Sequence, residues 1–167
     1  MGYRNKTYIV FDGDNDIWAY RFMKGWKANE NIDFDFHDAH DINRLTSNAL
    51  SEEYIKGKLK ERFKSAKQII VLIGDSTKNL YRYIRWELQV AQALDLPIIA
   101  VNLNNLRTQD NDRVPPIIRD EFVVHIPFKL AIIKHSLDSF PDEYKKRKAS
   151  DKGPRVYSES VYKKLGL

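Results

Sequence analysis

Glu87 stands inside Tyr83-Ile84-Arg85-Trp86-Glu87-Leu88, where Ile84, Leu88 and Ala91 recur at helical spacing. At about 100° per residue, Glu87 falls roughly 60° from the centre of that apolar stripe. A carboxylate at such a rim is able to meet both a cleft and its solvent. Trp86 points nearly opposite, where an exposed indole suits an interface better than a core. A second acidic set, Phe11-Asp12-Gly13-Asp14-Asn15-Asp16, follows an apolar run. Carboxylates clustered at strand ends hold a divalent cation while one accepts a phosphoryl group, and Asp75, Asn102 and Lys129 follow later runs in the same manner. The same aspartates also read as helix-start residues, where negative charge is favoured. A third set is His37-Asp38-Ala39-His40-Asp41. Its histidines would ligate zinc together only on a helix, and the local pattern is that of a loop, so no metal site is assigned.

Several classes of function are disfavoured. The chain has no G-x-G-x-x-G and no G-x-x-x-x-G-K-[ST], and an acidic first loop would repel a phosphate. Without cysteine there is no disulfide framework, thiolate zinc site or Cys nucleophile. No run approaches the ~20 apolar residues of a membrane helix, and Met1 to Lys6 has no apolar signal core, which predicts a cytoplasmic protein with no membrane partner. The net charge of +5 is uneven: residues 141–167 hold eight basic and four acidic residues, leaving about +1 for residues 1–140. A basic stripe across the fold, which nucleic acid requires, is therefore not expected. Tyr144, Tyr157 and Tyr162 among the tail lysines read as a packed terminal helix.

Positioning these residues requires alternating elements. Apolar runs at 7–11, 68–73, 98–101 and 122–126 read as buried strands, and Asp33-Phe34-Asp35-Phe36 alternates like an edge strand. Helical stripes fall at 15–27 (Trp18, Phe22, Trp26), 51–66 (Ile55, Leu59, Phe63), 77–95 and 129–140 (Leu130, Ile133, Leu137, Phe140). The order predicts a flavodoxin-like α/β three-layer sandwich with a five-stranded parallel sheet ordered 2-1-3-4-5. Pro141 closes the domain at residue 140, and 141–167 form a basic helix or tail. Ligands of such sheets bind beyond the strands' carboxyl ends, near the switch in strand order. His125 reads as a satisfied core histidine and His135 as an exposed one.

Taken in order, Tyr8-Ile-Val-Phe-Asp-Gly-Asp-Asn-Asp-Ile-Trp, Phe36-His-Asp-Ala, Glu53-Tyr-Ile-Lys-Gly-Lys-Leu, Ile69-Ile-Val-Leu-Ile-Gly-Asp-Ser-Thr and Tyr83-Ile-Arg-Trp-Glu-Leu resemble the TIR-like domains of bacterial antiphage defence, notably the Thoeris TIR proteins, over about residues 5–130. The resemblance implies an NAD⁺ hydrolase or ADP-ribosyl cyclase with Glu87 as its catalytic glutamate. It further implies that Phe11 and Asp12 border the nucleotide pocket and that Asp38 and Ala39 begin the loop after the second strand. Tyr83 and Trp86 would flank the glutamate. NAD⁺ would be substrate, with no separate cofactor. Self-association and a downstream nucleotide-sensing effector are the implied partners. Two other readings remain open: a non-enzymatic signalling module using Trp86 and the Asp38–Ser51 loop as interface, and a receiver-like phospho-acceptor at Asp75 or Asp12.

Overall fold

The computed structural model describes residues 6–34, 37–38 (backbone only), 51–79 and 82–167. It is an α/β fold with a parallel sheet. Four full strands form its body, β1 (Lys6–Val10), β3 (Gln68–Ile73), β4 (Ile98–Asn102) and β5 (Val124–Pro127), while β2 is a two-residue pairing, His37–Asp38, on the outer edge of β1. The order is β2-β1-β3-β4-β5. The edge strand expected over 33–36 is found instead at His37–Asp38: Asp33 and Phe34 are not strand, and Asp35 and Phe36 lie outside the described residues. Aspartate is a poor strand former, and Phe34 is buried instead, meeting the Trp26 ring edge-on at 5.9 Å.

Because both faces of the sheet are covered, its strands are continuous apolar runs rather than alternating ones. Side-chain alternation divides them between two cores. Ile9, Ile70, Leu72, Ile99, Val101, Val124 and Ile126 face α1 (Ile17–Ala28), α4 (Leu130–Lys146) and α5 (Glu159–Lys164). Tyr8, Val10, Ile69, Val71, Ile73 and Ala100 face α2 (Glu52–Phe63) and α3 (Tyr83–Ala93). In α2, Ile55, Leu59 and Phe63 are the buried stripe, and Ser51 caps its start by accepting from the Tyr54 N–H at 3.2 Å. In α1 the expected stripe is rotated. Ala19, Tyr20 and Met23 are buried, whereas Trp18 and Phe22 are 44% and 58% exposed.

Pro141 does not end α4, which continues to Lys146. Proline removes one backbone donor, yet Phe140 and Tyr144 on either side both pack on Phe122, at 6.0 and 6.1 Å between rings. The residues beyond return along the edge of β5. The Arg155 N–H donates to the Val123 carbonyl at 2.7 Å, and the His125 N–H donates to the Arg155 carbonyl at 2.8 Å. The turn into this edge needs Gly153, whose φ of 91° favours a residue without Cβ. Tyr162 then enters the core, wholly buried, under the Arg107 guanidinium.

His125 is fully buried, but neither ring nitrogen has a hydrogen-bond partner among the described residues, unlike the satisfied histidine expected. Burial lowers its pKa to about 4, which keeps it neutral. His135 is half-buried, edge-on to the Tyr157 ring at 5.0 Å, rather than exposed. No helix among the described residues is long and apolar enough to cross a membrane.

Candidate active site

Helix α3 buries Ile84, Leu88 and Ala91, the stripe read from spacing, and Val90 besides. Glu87 is half-buried beside that stripe. Its Oε1 accepts a hydrogen bond from the Tyr8 hydroxyl of β1 at 2.9 Å. Tyr8 is 2% exposed, and its ring lies 4.4 Å from that of Phe63 on α2. The carboxylate therefore sits where β1, α2 and α3 converge. Burial raises the pKa of Glu87 to about 7, although the Tyr8 hydrogen bond and the positive charge of Arg62 both oppose the rise. Tyr8 is raised in turn, first by burial and then by the charge of Glu87.

Trp86 is half-buried and packs at the margin of the same core, a correction to the exposed indole expected. Tyr83, one turn before Glu87, is 43% exposed and meets Trp86 edge-on at 5.6 Å. Phe11 belongs to the opposite core, stacked on Tyr20 at 4.7 Å. Phe11, just beyond the end of β1, and Tyr8 within it thus pack on opposite faces of the sheet. For Asp38 only the backbone pairing with Thr7 is described. Ala39, and the His40 and Asp41 of the metal-like string, lie outside the described residues.

Asp12 is buried and accepts four hydrogen bonds. Oδ1 takes the N–H groups of Asp14 and Asn15, and Oδ2 takes the Asn15 amide at 2.8 Å and the Ser76 hydroxyl at 2.6 Å. Burial alone would raise its pKa, but these donors outweigh it and hold the carboxyl below its ordinary range. Four donors saturate the lone pairs of a carboxylate, which argues against Asp12 as a phospho-acceptor. Asp12 instead ties the loop after β1 to the loop leading into α3. Asp75 pairs with Arg113. Asn102 donates to the carbonyls of Leu106 and Thr108 at 3.0 and 2.8 Å, pinning the loop after β4. Among the described residues, no three His, Cys, Asp or Glu side chains are grouped to hold a metal.

The same tie explains a glycine. A Cβ on Gly74 would fall well inside contact distance of both carboxylate oxygens of Asp16, and the Gly74 N–H donates to Thr77 Oγ1 at 2.8 Å. Asp16, whose pKa is raised by burial and then by Asp12, also accepts from Thr77. Gly74→Ala is expected to cost about 1–3 kcal/mol in urea unfolding. Combining it with Asp16→Ala should recover most of that loss. A double variant no more stable than Gly74→Ala would refute the clash as its cause.

Tyr8 and Arg62 are not marked as site residues by any motif or spacing in the sequence. The available signal was a phenol inside an otherwise apolar strand, since a buried tyrosine hydroxyl needs a partner.

The family model for the TIR-like domain of the Thoeris protein ThsB matches residues 8–108, more than half of the chain and a span that includes Tyr8, Arg62 and Glu87. The chain belongs to this family of TIR-like domains.

Proposed function

We propose that this TIR-like protein acts in antiphage defence as an NAD⁺ glycohydrolase or ADP-ribosyl cyclase, with Glu87 as the catalytic carboxylate. The observation that carries the reading is the placement of Glu87: a half-buried carboxylate on α3, tied at Oε1 to Tyr8 and raised by burial to a pKa of about 7. Nicotinamide in NAD⁺ is a cationic leaving group, so no acid is needed to protonate it. The C1′–N bond breaks, its electron pair neutralises the pyridinium nitrogen, and C1′ becomes an oxocarbenium ion as in glycoside cleavage. The ionised Glu87 stabilises that positive charge in a poorly solvated site, where such an interaction is stronger than in water. Water capturing C1′ and releasing a proton gives ADP-ribose; a nucleophile of the same molecule gives a cyclic product. NAD⁺ is the substrate and no separate cofactor is invoked.

Ionisation is the condition for this chemistry, so activity rises with pH through about 7. Phe11, Asp12, Asp38, Ala39, Tyr83 and Trp86 are proposed to line or border the nucleotide site. The buried Phe11 and the saturated Asp12 would shape its wall. The test is nicotinamide release from NAD⁺ by purified protein. Glu87→Ala is expected to lower it about 10³-fold, and unchanged release would remove Glu87 from the reaction.

A second reading, a non-enzymatic recruiting module, draws on a different surface. Trp18 and Phe22 stand exposed on α1, with Trp26 and Phe128 beside them. Self-association through that face and an effector that senses the nucleotide product are compatible with the enzymatic reading. Absence of NAD⁺ binding by calorimetry would favour the recruiting module alone.

A further inference from the structure

Glu87 has two carboxylate oxygens in unlike surroundings. Oε1 is engaged by the Tyr8 hydroxyl, while Oε2 has no hydrogen-bond partner among the described residues. Resting on the reading of Glu87 as the catalytic group, we propose that Tyr8 is its positioning residue, holding Oε1 inward so that Oε2 is the oxygen presented to the ribose.

Three features of the fold support this role. First, Tyr8 is itself immobilised. It is 2% exposed, in the strand paired on both sides, and its ring rests on Phe63. A side chain locked by packing is a precise anchor for another. Second, a positive charge acts on the pair from a third element. Arg62 of α2 lies close enough for its charge to favour the ionised form of both Tyr8 and Glu87, while the Tyr8 hydroxyl donates to Glu87 Oε1 at 2.9 Å. The pair is thus served from α2, β1 and α3 together. Third, a core-facing tyrosine with such partners costs more to build than phenylalanine would, because its hydroxyl must be desolvated. Packing alone supplies no reason for that oxygen.

The charged and titratable groups acting on Glu87 are Tyr8 from β1 and Arg62 from α2, and both favour its ionised form. Arg82, just before its helix, and Arg85 on it are exposed. Loss of the Tyr8 hydroxyl thus makes the anion harder to form and leaves its direction unset. Packing is unaffected, because Phe retains the ring against Phe63.

The experiment follows Glu87 directly, by carbon-13 NMR titration of its carboxyl group in the full chain, beside the pH dependence of nicotinamide release. In Tyr8→Phe the titration is expected to move to higher pH by about one unit. The kcat profile should follow it, with kcat at pH 7 lowered about fivefold and KM unchanged. Arg62→Met is the second variant and should move the titration in the same direction. An unmoved titration in both variants overturns the proposal, as does a moved titration that kcat fails to follow. Release that survives Glu87→Gln at the wild-type rate removes the catalytic reading, and with it this role, even where the titration still moves.

Discussion

Glu87→Gln is expected to make the protein more stable at pH 8 while removing its activity. A carboxyl whose pKa rises from an ordinary 4.5 to about 7 on folding binds its proton more tightly in the native state. Its favourable contribution is fully present below pH 4.5 and is lost as pH rises through 7. At pH 8 the native protein must therefore hold an anion in a site that resists it. A rise of that size corresponds to roughly 3 kcal/mol, and the partial exposure of Glu87 reduces this to about 2 kcal/mol. Glutamine has the same shape and still offers a carbonyl oxygen to Tyr8. For a chain of this length Tm should increase by about 5 °C at pH 8, and the gain should disappear near pH 4.5. Calorimetry of both proteins across that range checks it. A Gln variant less stable at pH 8 would mean that the carboxylate serves the fold, and its burial would no longer mark a functional site.

Deleting residues 147–167 is expected to prevent stable folding, although they carry most of the chain's net charge and look like an appendage. Tyr162 is wholly buried among residues of α1, α4 and β5, and Val161 and Leu165 pack at its margin. Losing one large aromatic from a core costs about 3–5 kcal/mol. The deletion also strips the Arg155 backbone contacts from β5, which exposes an unpaired strand edge prone to association. It removes the Arg147 bridge to Asp95 as well. Against a typical total of 5–15 kcal/mol the sum leaves little margin. Loss of a cooperative thermal transition, with aggregation in sedimentation, is the expected result. A cooperative transition within a few degrees of the full chain would show that the strap is dispensable. Tyr162→Ala separates the core contribution from that of the edge.

What was legible in the sequence follows from the range of the interactions involved. The strand runs and the α3 stripe are local patterns, and Ile84, Leu88 and Ala91 are buried as their spacing implies. The partner of Glu87 was not legible, because Tyr8 is separated from it by 79 positions and only the sheet order brings β1 beneath α3. Trp18, Phe22 and Trp26 misled for a different reason. Large aromatics at helical spacing imitate a core face, but the side of α1 against the sheet uses Ala19, Tyr20 and Met23, where a small residue permits close approach. Asp33 and Phe34 open an alternating pattern yet are not strand, since alternation says nothing about whether an aspartate will accept an extended edge. The packed terminal helix was legible in the tyrosines among the tail lysines: Tyr162 is buried in a six-residue helix, and Tyr157, Val161 and Leu165 pack beside it. Pro141 reads as a stop, and only the aromatic packing around Phe122 shows why α4 passes through it.

The central claim is that an ionised Glu87 stabilises the cationic ribose of NAD⁺. Nicotinamide release by wild-type protein and by Glu87→Gln, followed from pH 5 to 9, tests it most directly; these limits are roughly two units either side of about 7. The account predicts wild-type release that climbs through about pH 7 and then levels, with no release by the Gln variant at any pH. Equal release by the two proteins, or wild-type release that falls as pH rises through 7, would contradict it.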